Sequence, residues 1–239
     1  MTEASVWAIV PAAGVGRRMG AAVPKQYLTV MDRPVLHWAL ETLLRAPQIQ
    51  GCVLAIDPDD RLWPDFRPDT DKPLHVVDGG AERFQSVFNA LEFLLQHQSP
   101  DCRVLVHDGV RPCLAAVELQ RLLSEGLASD DGALLAVPVR DTLKRQDTEQ
   151  CVAMTPDRQD LWQAQTPQLF PLGLLHQALR QVIENGLRVT DEAQAVEALG
   201  FRPRLVEGSV SNLKITRPDD LPLAEAILRA RAINDKASD

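Results

Sequence analysis

The stretch VWAIVPAAGVGRRMG, from Val6 to Gly20, is an apolar run that breaks into a loop of small and basic residues. Residues 6–10 are apolar throughout, which is how a strand reads when both faces are covered, as in a parallel sheet layered with helices. Small residues directly after such a strand let the backbone approach a ligand closely, and successive N–H groups there can cradle an anion. Arg17 and Arg18, joined by Lys25 in the PKQYL run from Pro24 to Leu28, put three positive charges on this loop. That composition suits phosphates.

The rest of the chain repeats the same grammar. Strand patterns fall at residues 6–10, 52–56, 74–77, 103–107, 133–137, 165–170 and 205–206, and helix-period patterns at 35–44, 82–95, 116–127, 172–184, 191–199 and 218–232. Such alternation predicts stacked βα units around one mostly parallel, Rossmann-like sheet flanked by helices, with residues 1–239 forming a single α/β domain. Ligands of such sheets gather outside the carboxyl ends of the strands. One segment departs from the pattern. Residues 139–160, VRDTLKRQDTEQCVAMTPDRQD, have short β-like stretches around a polar run and no helix period. They predict a protruding β-hairpin arm, which lacks sheet neighbours and so is a candidate for packing on a second subunit. An ordinary surface loop is the other reading these residues allow.

Composition narrows the function classes. The 239 residues carry 25 Lys and Arg against 33 Asp and Glu, a formal net charge of -8. Nothing here forms the electrostatic footprint expected for nucleic acid or an anionic membrane, so any anionic ligand must meet a local cluster of positive charge. No apolar run approaches the roughly 18 to 20 residues of a membrane span, and the first 20 residues lack the order of a signal peptide. The expectation is a soluble, cytoplasmic protein with no nucleic-acid or membrane partner. Cys52, Cys102, Cys113 and Cys151 show no metal-site spacing, and Cys52 and Cys102 read as buried reduced thiols.

Three rival readings of the glycine loop use the same residues. A Walker A loop needs Gly-Lys-Ser/Thr after its glycines, where this chain has Arg17, Arg18 and Met19. A dinucleotide fingerprint needs its third glycine one place earlier than Gly20, a helix opening that Pro24 opposes, and an acidic strand end sooner than Asp57. A plain turn with solvated arginines explains two glycines and one arginine, but explains poorly the joined pattern from Pro11 to Leu28.

Pro11 to Met19 together with Pro24 to Leu28 resemble the signature loop of sugar-phosphate nucleotidyltransferases. The PKQYL ending resembles the 2-C-methyl-D-erythritol 4-phosphate cytidylyltransferase family of non-mevalonate isoprenoid biosynthesis. Further family-like blocks follow in order: Gly79 to Val87, His107 to Pro112, Val137 to Lys144, Thr166 to Gln168, Thr190 to Glu192 and Asn212 to Thr216. The resemblance implies a homodimeric enzyme that uses CTP, methylerythritol phosphate and Mg²⁺, the metal being held mostly by phosphates and water. It implies catalytic roles for Arg18, Lys25 and Lys214. It also implies CTP contacts from Pro11, Ala12, Ala13, Gly14, Gly16, Gly80, Arg83, Ser86, Asp108 and Gly109, and substrate contacts from Asp108, Arg111, Thr142, Arg158 and Lys214. No protein metal ligand is assigned, with Asp108 near the metal. Thr142 and Arg158, at the two bases of the suspected arm, would reach the substrate phosphate across a dimer interface.

On the residues alone, several of these positions keep a plainer reading. Arg83 and Ser86 also fit a helix start at the surface, Arg111 an internal salt bridge, and Lys214 a solvated lysine ending a short strand. The block around Asp108 departs from the family's commoner His-Asp-Ala-Ala-Arg-Pro form, with Gly109 and Val110 in place of the two alanines. Two other functions compete: a cytidylyltransferase acting on another alditol phosphate such as ribitol 5-phosphate, and a nucleotide-binding module without turnover.

Overall fold

The computed structural model describes residues 5–14 and 23–236. In chain order the elements are β1 (Val6–Pro11), β2 (Thr29–Val30), β3 (Arg33–Pro34), α1 (Val35–Arg45), β4 (Ile49–Ile56), α2 (Trp63–Phe66), β5 (Leu74–Asp78), α3 (Arg83–Leu95), β6 (Arg103–Val106), α4 (Ala116–Gly126), β7 (Ala133–Pro138), β8 (Arg145–Gln146), β9 (Val152–Met154), β10 (Trp162–Pro171), α5 (Leu172–Glu184), α6 (Glu192–Glu197), β11 (Arg204–Glu207) and α7 (Asp220–Lys236). Seven strands form one sheet in the order β11-β7-β10-β6-β1-β4-β5. β1 pairs in parallel with β4 and β6, β4 with β5, and β7 with β11, while β10 runs antiparallel between β6 and β7. The expected mostly parallel sheet flanked by helices is therefore present, with β10 as its one antiparallel strand among the described residues.

The apolar continuity of β1 has a direct cause. Val6, Ala8 and Val10 point to one face, where they pack with Leu36, Leu40 and Leu43 of α1 and Leu119 and Leu122 of α4. Trp7 and Ile9 point to the other, against Val87 and Leu91 of α3 and Leu175 and Leu179 of α5. A strand with a helix layer on each side has no polar face to show. Each fully buried aliphatic side chain contributes roughly 1.5–3 kcal/mol, so these two layers dominate the stability of the molecule. Among the described residues no helix is long and apolar enough to cross a membrane.

Topology gathers the strand ends. From β1 the chain moves outward to β4 and β5 on one side, then returns to place β6 on the other. The carboxyl ends of β1, β4, β5 and β6 open on one side of the sheet, carrying residues 12–14, Asp57, Gly79, Gly80, His107 and Asp108 there. The point where strand order reverses is where open α/β sheets leave a crevice.

Several details differ from the sequence reading. The predicted strand at 165–170 extends to Trp162–Pro171, and its register with β7 is irregular between Ala164 and Gln168. Lys214 does not end a strand: residues 212–216 run without regular structure, held by the Ile215 N–H donating to the Val110 carbonyl. β2 and β3 join through Met31 and Asp32 with φ of 49° and 61°, a turn without the Asn-Gly or Asp-Gly pair that usually announces one. The arm segment does form a hairpin, β8 against β9, outside the main sheet.

Candidate active site

Two clefts open beside the crevice and share one wall. The larger, about 500 Å³, runs from Pro11, Ala12, Ala13 and Gly14 past Lys25 and Asp57 to Gly80 and Ser86. The smaller, about 180 Å³, lies between Arg111, Thr166, Gln168 and Thr190. Arg83, Asp108 and Lys214 line both. The site is thus two compartments meeting at one ionic junction.

The walls of the larger cleft follow from close backbone packing. Gly79 donates its N–H to the Ile56 carbonyl at 2.6 Å, and a Cβ there would fall 2.3 Å from Ala13 Cβ, so only glycine lets the two loops touch. Ser86 is buried at the first turn of α3. Its Oγ accepts from the Gly80 N–H at 3.0 Å and shapes the turn that walls the cleft. Below the first loop, Gln26 Nε2 donates to the Ala12 carbonyl at 2.6 Å and ties the PKQYL segment to β1. Lys25 beside it lines the cleft. Gly109 lines neither cleft. A Cβ there would stand 2.8 Å from Leu36 Cδ1, and Val110 fills the space between the cleft and Ile215. The departure from the alanine pair is thus accommodated in the packing behind the site.

Asp108 is the centre of the junction. Arg83 Nε donates to its Oδ1 at 2.7 Å, Lys214 Nζ lies 2.9 Å from Oδ2, and Arg111 Nε lies 3.5 Å from Oδ2. Burial opposes its charge, but Arg83, Lys214 and Arg111 together outweigh burial and hold the carboxyl well below the usual carboxylate range. Arg83 is paired on its other side, where Nη1 lies 2.6 Å from Glu192 Oε1. Burial works against its charge too, and Glu192 and Asp108 overcome it. Arg111 donates from Nη1 to the Asn212 carbonyl at 2.6 Å, and Asn212 Nδ2 donates to the Thr166 carbonyl at 2.8 Å. The internal salt bridge that offered a plain reading of Arg111 exists, and Arg83 does start α3 but turns into two ion pairs instead of lying solvated at the surface; both are built into the wall of the site.

Beneath Asp108 lies a relay with one consistent proton arrangement. His107 Nε2 faces the Arg111 carbonyl at 3.3 Å, which can only accept, so Nε2 carries the hydrogen. Nδ1 then accepts from the Thr166 hydroxyl at 3.0 Å, and that hydroxyl accepts the Asp108 N–H at 3.0 Å. Burial pushes the His107 pKa down to about 4, so the ring is neutral and the relay is stable at neutral pH.

The sequence expectations divide accordingly. Pro11, Ala12, Ala13, Gly14, Lys25, Gly80, Arg83, Ser86, Asp108, Arg111 and Lys214 come together at the two clefts. Gly16 and Arg18 lie outside the described residues. Thr142 and Arg158 line neither cleft; both are exposed, and Arg158 donates to the Arg140 carbonyl across the base of the hairpin. His107, Thr166, Gln168, Glu192 and Asn212 are structural members of the site that the sequence reading left without a role. Their signal was only that four of the family-like blocks contain polar residues at positions that the folded chain buries.

The comparisons with known proteins agree with this architecture. A family model described as 2-C-methyl-D-erythritol 4-phosphate cytidylyltransferase matches residues 6–230. A protein of that name from Halorhodospira halophila is 56% identical over 229 residues, covering 94% of each chain. One from Pseudomonas putida is 50% identical over 217 residues, covering 90% of this chain and 92% of its own. The crystal structure of the Francisella tularensis protein of the same name superposes with a TM-score of 0.81 at 36% identity, covering 93% of this chain and 99% of that one. The chain belongs to the 2-C-methyl-D-erythritol 4-phosphate cytidylyltransferase family.

Proposed function

We infer that the chain catalyses transfer of the cytidylyl group of CTP to 2-C-methyl-D-erythritol 4-phosphate, giving 4-diphosphocytidyl-2-C-methyl-D-erythritol and pyrophosphate for isoprenoid precursor synthesis. The observation that carries the mechanism is the pair of clefts sharing Arg83, Asp108 and Lys214. CTP occupies the larger compartment, its phosphates under the loop of residues 11–14 and toward Lys25. The alditol phosphate enters from the smaller one. Its phosphate oxygen attacks the α-phosphorus in line, a new oxygen–phosphorus bond forms, and the bond from the α-phosphorus to the bridging oxygen breaks as pyrophosphate leaves.

No protein nucleophile takes part, so the residues act by position and charge. Lys25 and Arg18 neutralise the charge that grows on the α-phosphate and the leaving group, the latter a role carried over from the family pattern. Lys214, steadied by Asp108, holds the attacking phosphate near the α-phosphorus. Arg83 Nη2 and Arg111 Nε are buried donors without a hydrogen-bond acceptor among the described residues, and both belong to residues of the smaller cleft. An oxygen-rich substrate supplies such acceptors. Mg²⁺ bound with CTP would supply positive charge against the phosphates, as a hard cation that prefers oxygen ligands. Asp57 is a carboxylate of the same cleft whose chemistry suits a water-mediated contact with it.

The arm completes the reading. Val152, Met154, Leu161 and Trp162 are exposed apolar residues on or beside the hairpin, and covering them on a second copy would carry Thr142 and Arg158 to the partner's substrate phosphate. A hydroxyl and a guanidinium fork suit a terminal phosphate. Because CTP is an intracellular nucleotide, the reaction belongs in the cytoplasm. Pyrophosphate release measured with CTP, Mg²⁺ and methylerythritol phosphate tests the assignment. Ribitol 5-phosphate serves as the competing acceptor, and a preference for it, or no release with either, overturns the assignment.

A further inference from the structure

Glu192 is a carboxylate that the mechanism above leaves without a task. It is the first residue of α6 and is 0% exposed. Oε1 lies 2.6 Å from Arg83 Nη1, while Oε2 has no hydrogen-bond partner among the described residues, and Arg83 Nη2 is likewise unpartnered and buried. A fork-to-fork pair would have satisfied all four atoms. A buried ion pair with one orphan on each side is a poor device for stability, because desolvation of both charges is incompletely offset.

The backbone around Glu192 is nevertheless fixed from three directions. Gln168, buried in β10, donates from Nε2 to Asp191 Oδ2 at 3.0 Å and accepts from the Ala193 N–H at 2.9 Å. Asp191 caps the helix by accepting the Gln194 N–H at 3.0 Å. The carboxylate is therefore held still on the side of Arg83 away from Asp108. Arg83 sits between two carboxylates, and Asp108 is left with one oxygen for Lys214 and Arg111.

We propose that Glu192 is a positioning residue for the transfer reaction: as the second counter-ion of Arg83, it keeps that guanidinium from taking both oxygens of Asp108, and so keeps Lys214 in place. The proposal rests on the cytidylyltransferase reading. Without the charge of Glu192, Arg83 closes its fork on Asp108, displaces Lys214 from Oδ2, and disturbs the compartment of the alditol phosphate more than that of CTP. The test is steady-state kinetics on wild type and E192Q, an isosteric change that removes only the charge. kcat/KM for methylerythritol phosphate falls about tenfold or more, KM for CTP stays within about twofold, and the melting temperature is unchanged or higher.

A double variant separates positioning from independent action. R83Q/E192Q is no worse than R83Q alone if Glu192 works through Arg83; losses that multiply overturn the proposal. Wild-type kcat/KM in E192Q, or equal rises in both KM values, also overturns it. If E192Q does not fold, E192D keeps the charge but withdraws it from Arg83, and wild-type kinetics there count equally against the role. Absence of turnover in the wild-type enzyme would instead remove the cytidylyltransferase reading on which all of this stands.

Discussion

Asp108 and the hairpin of β8 and β9 lie at opposite extremes of burial within one chain. Asp108 is 5% exposed, engages three cations, and rests on a neutral histidine relay fixed by β10. The hairpin pairs only a few residues, leaves Val152 and Met154 63% and 48% exposed, and holds Arg158 by the Arg140 carbonyl. A side chain surrounded by partners from its own chain has its position set by folding. A side chain on an exposed ribbon of this length draws its functional position from whatever it packs against, because two short strands are marginal alone. The difference predicts that damage at the centre stays within one subunit, whereas damage on the arm appears in the neighbour's site.

The largest expected effect sharpens the central side. Replacing Lys25 or Arg18 by alanine lowers kcat by roughly 10²-fold or more while far-UV circular dichroism and melting stay near wild type, since each acts on charge that grows in the transition state. Near-normal turnover removes that residue from the catalytic set. The next tests the arm directly. Lys25→Ala and Arg158→Ala subunits, each inactive alone, are mixed and allowed to exchange. Composite sites give each mixed dimer one intact site, so random exchange restores about a quarter of wild-type activity. No recovery after exchange, verified by mass spectrometry of tagged subunits, places Arg158 outside its neighbour's site and dissolves the contrast between the two regions.

A third prediction concerns the pH response of the buried centre. His107 is depressed from its ordinary 6.5 to about 4, first by burial, with Asp108 opposing and Arg111 assisting. The unfolded chain therefore binds a proton between those values that the folded chain does not. Stability from the neutral ring is fully present above about pH 6.5 and is lost as pH falls toward 4. At roughly 1.4 kcal/mol per unit, the whole contribution is about 3 kcal/mol. Denaturant titrations of His107→Gln should show a penalty that is greatest at pH 7 and shrinks by about that amount at pH 4. A penalty constant with pH would show that the ring is not held neutral. The smallest effect is Gly109→Ala, where the new Cβ meets the movable end of Leu36 and costs about 1 kcal/mol with catalysis intact.

How far the sequence could be read depends on the range of the interactions. β1, α3 and α5 were placed to within a residue because their periodicity is local and strong. The 82–95 pattern included Glu82, which is the cap of α3: its side chain and that of Gln85 close a capping box. The irregular register of β10 spans Pro167, whose missing N–H was its one local sign, while the Met31-Asp32 turn had none, its left-handed backbone being carried by residues with ordinary side chains. The pairing of Glu192 with Arg83 spans 109 positions, beyond any spacing rule.

By itself the sequence determined that this is a layered α/β chain, that a basic loop of small residues follows its first strand, and that ordered blocks place it beside one enzyme family. Those properties follow from apolar periodicity and short motifs, in which each residue needs only its neighbours. The tertiary structure alone decided that Asp108 is shared by Arg83, Arg111 and Lys214, and that two clefts meet on that carboxylate. It also decided that the departure at Gly109 is accommodated against Leu36. Charges from three separate segments become neighbours only after the sheet has formed and the desolvation of each has been offset by the others.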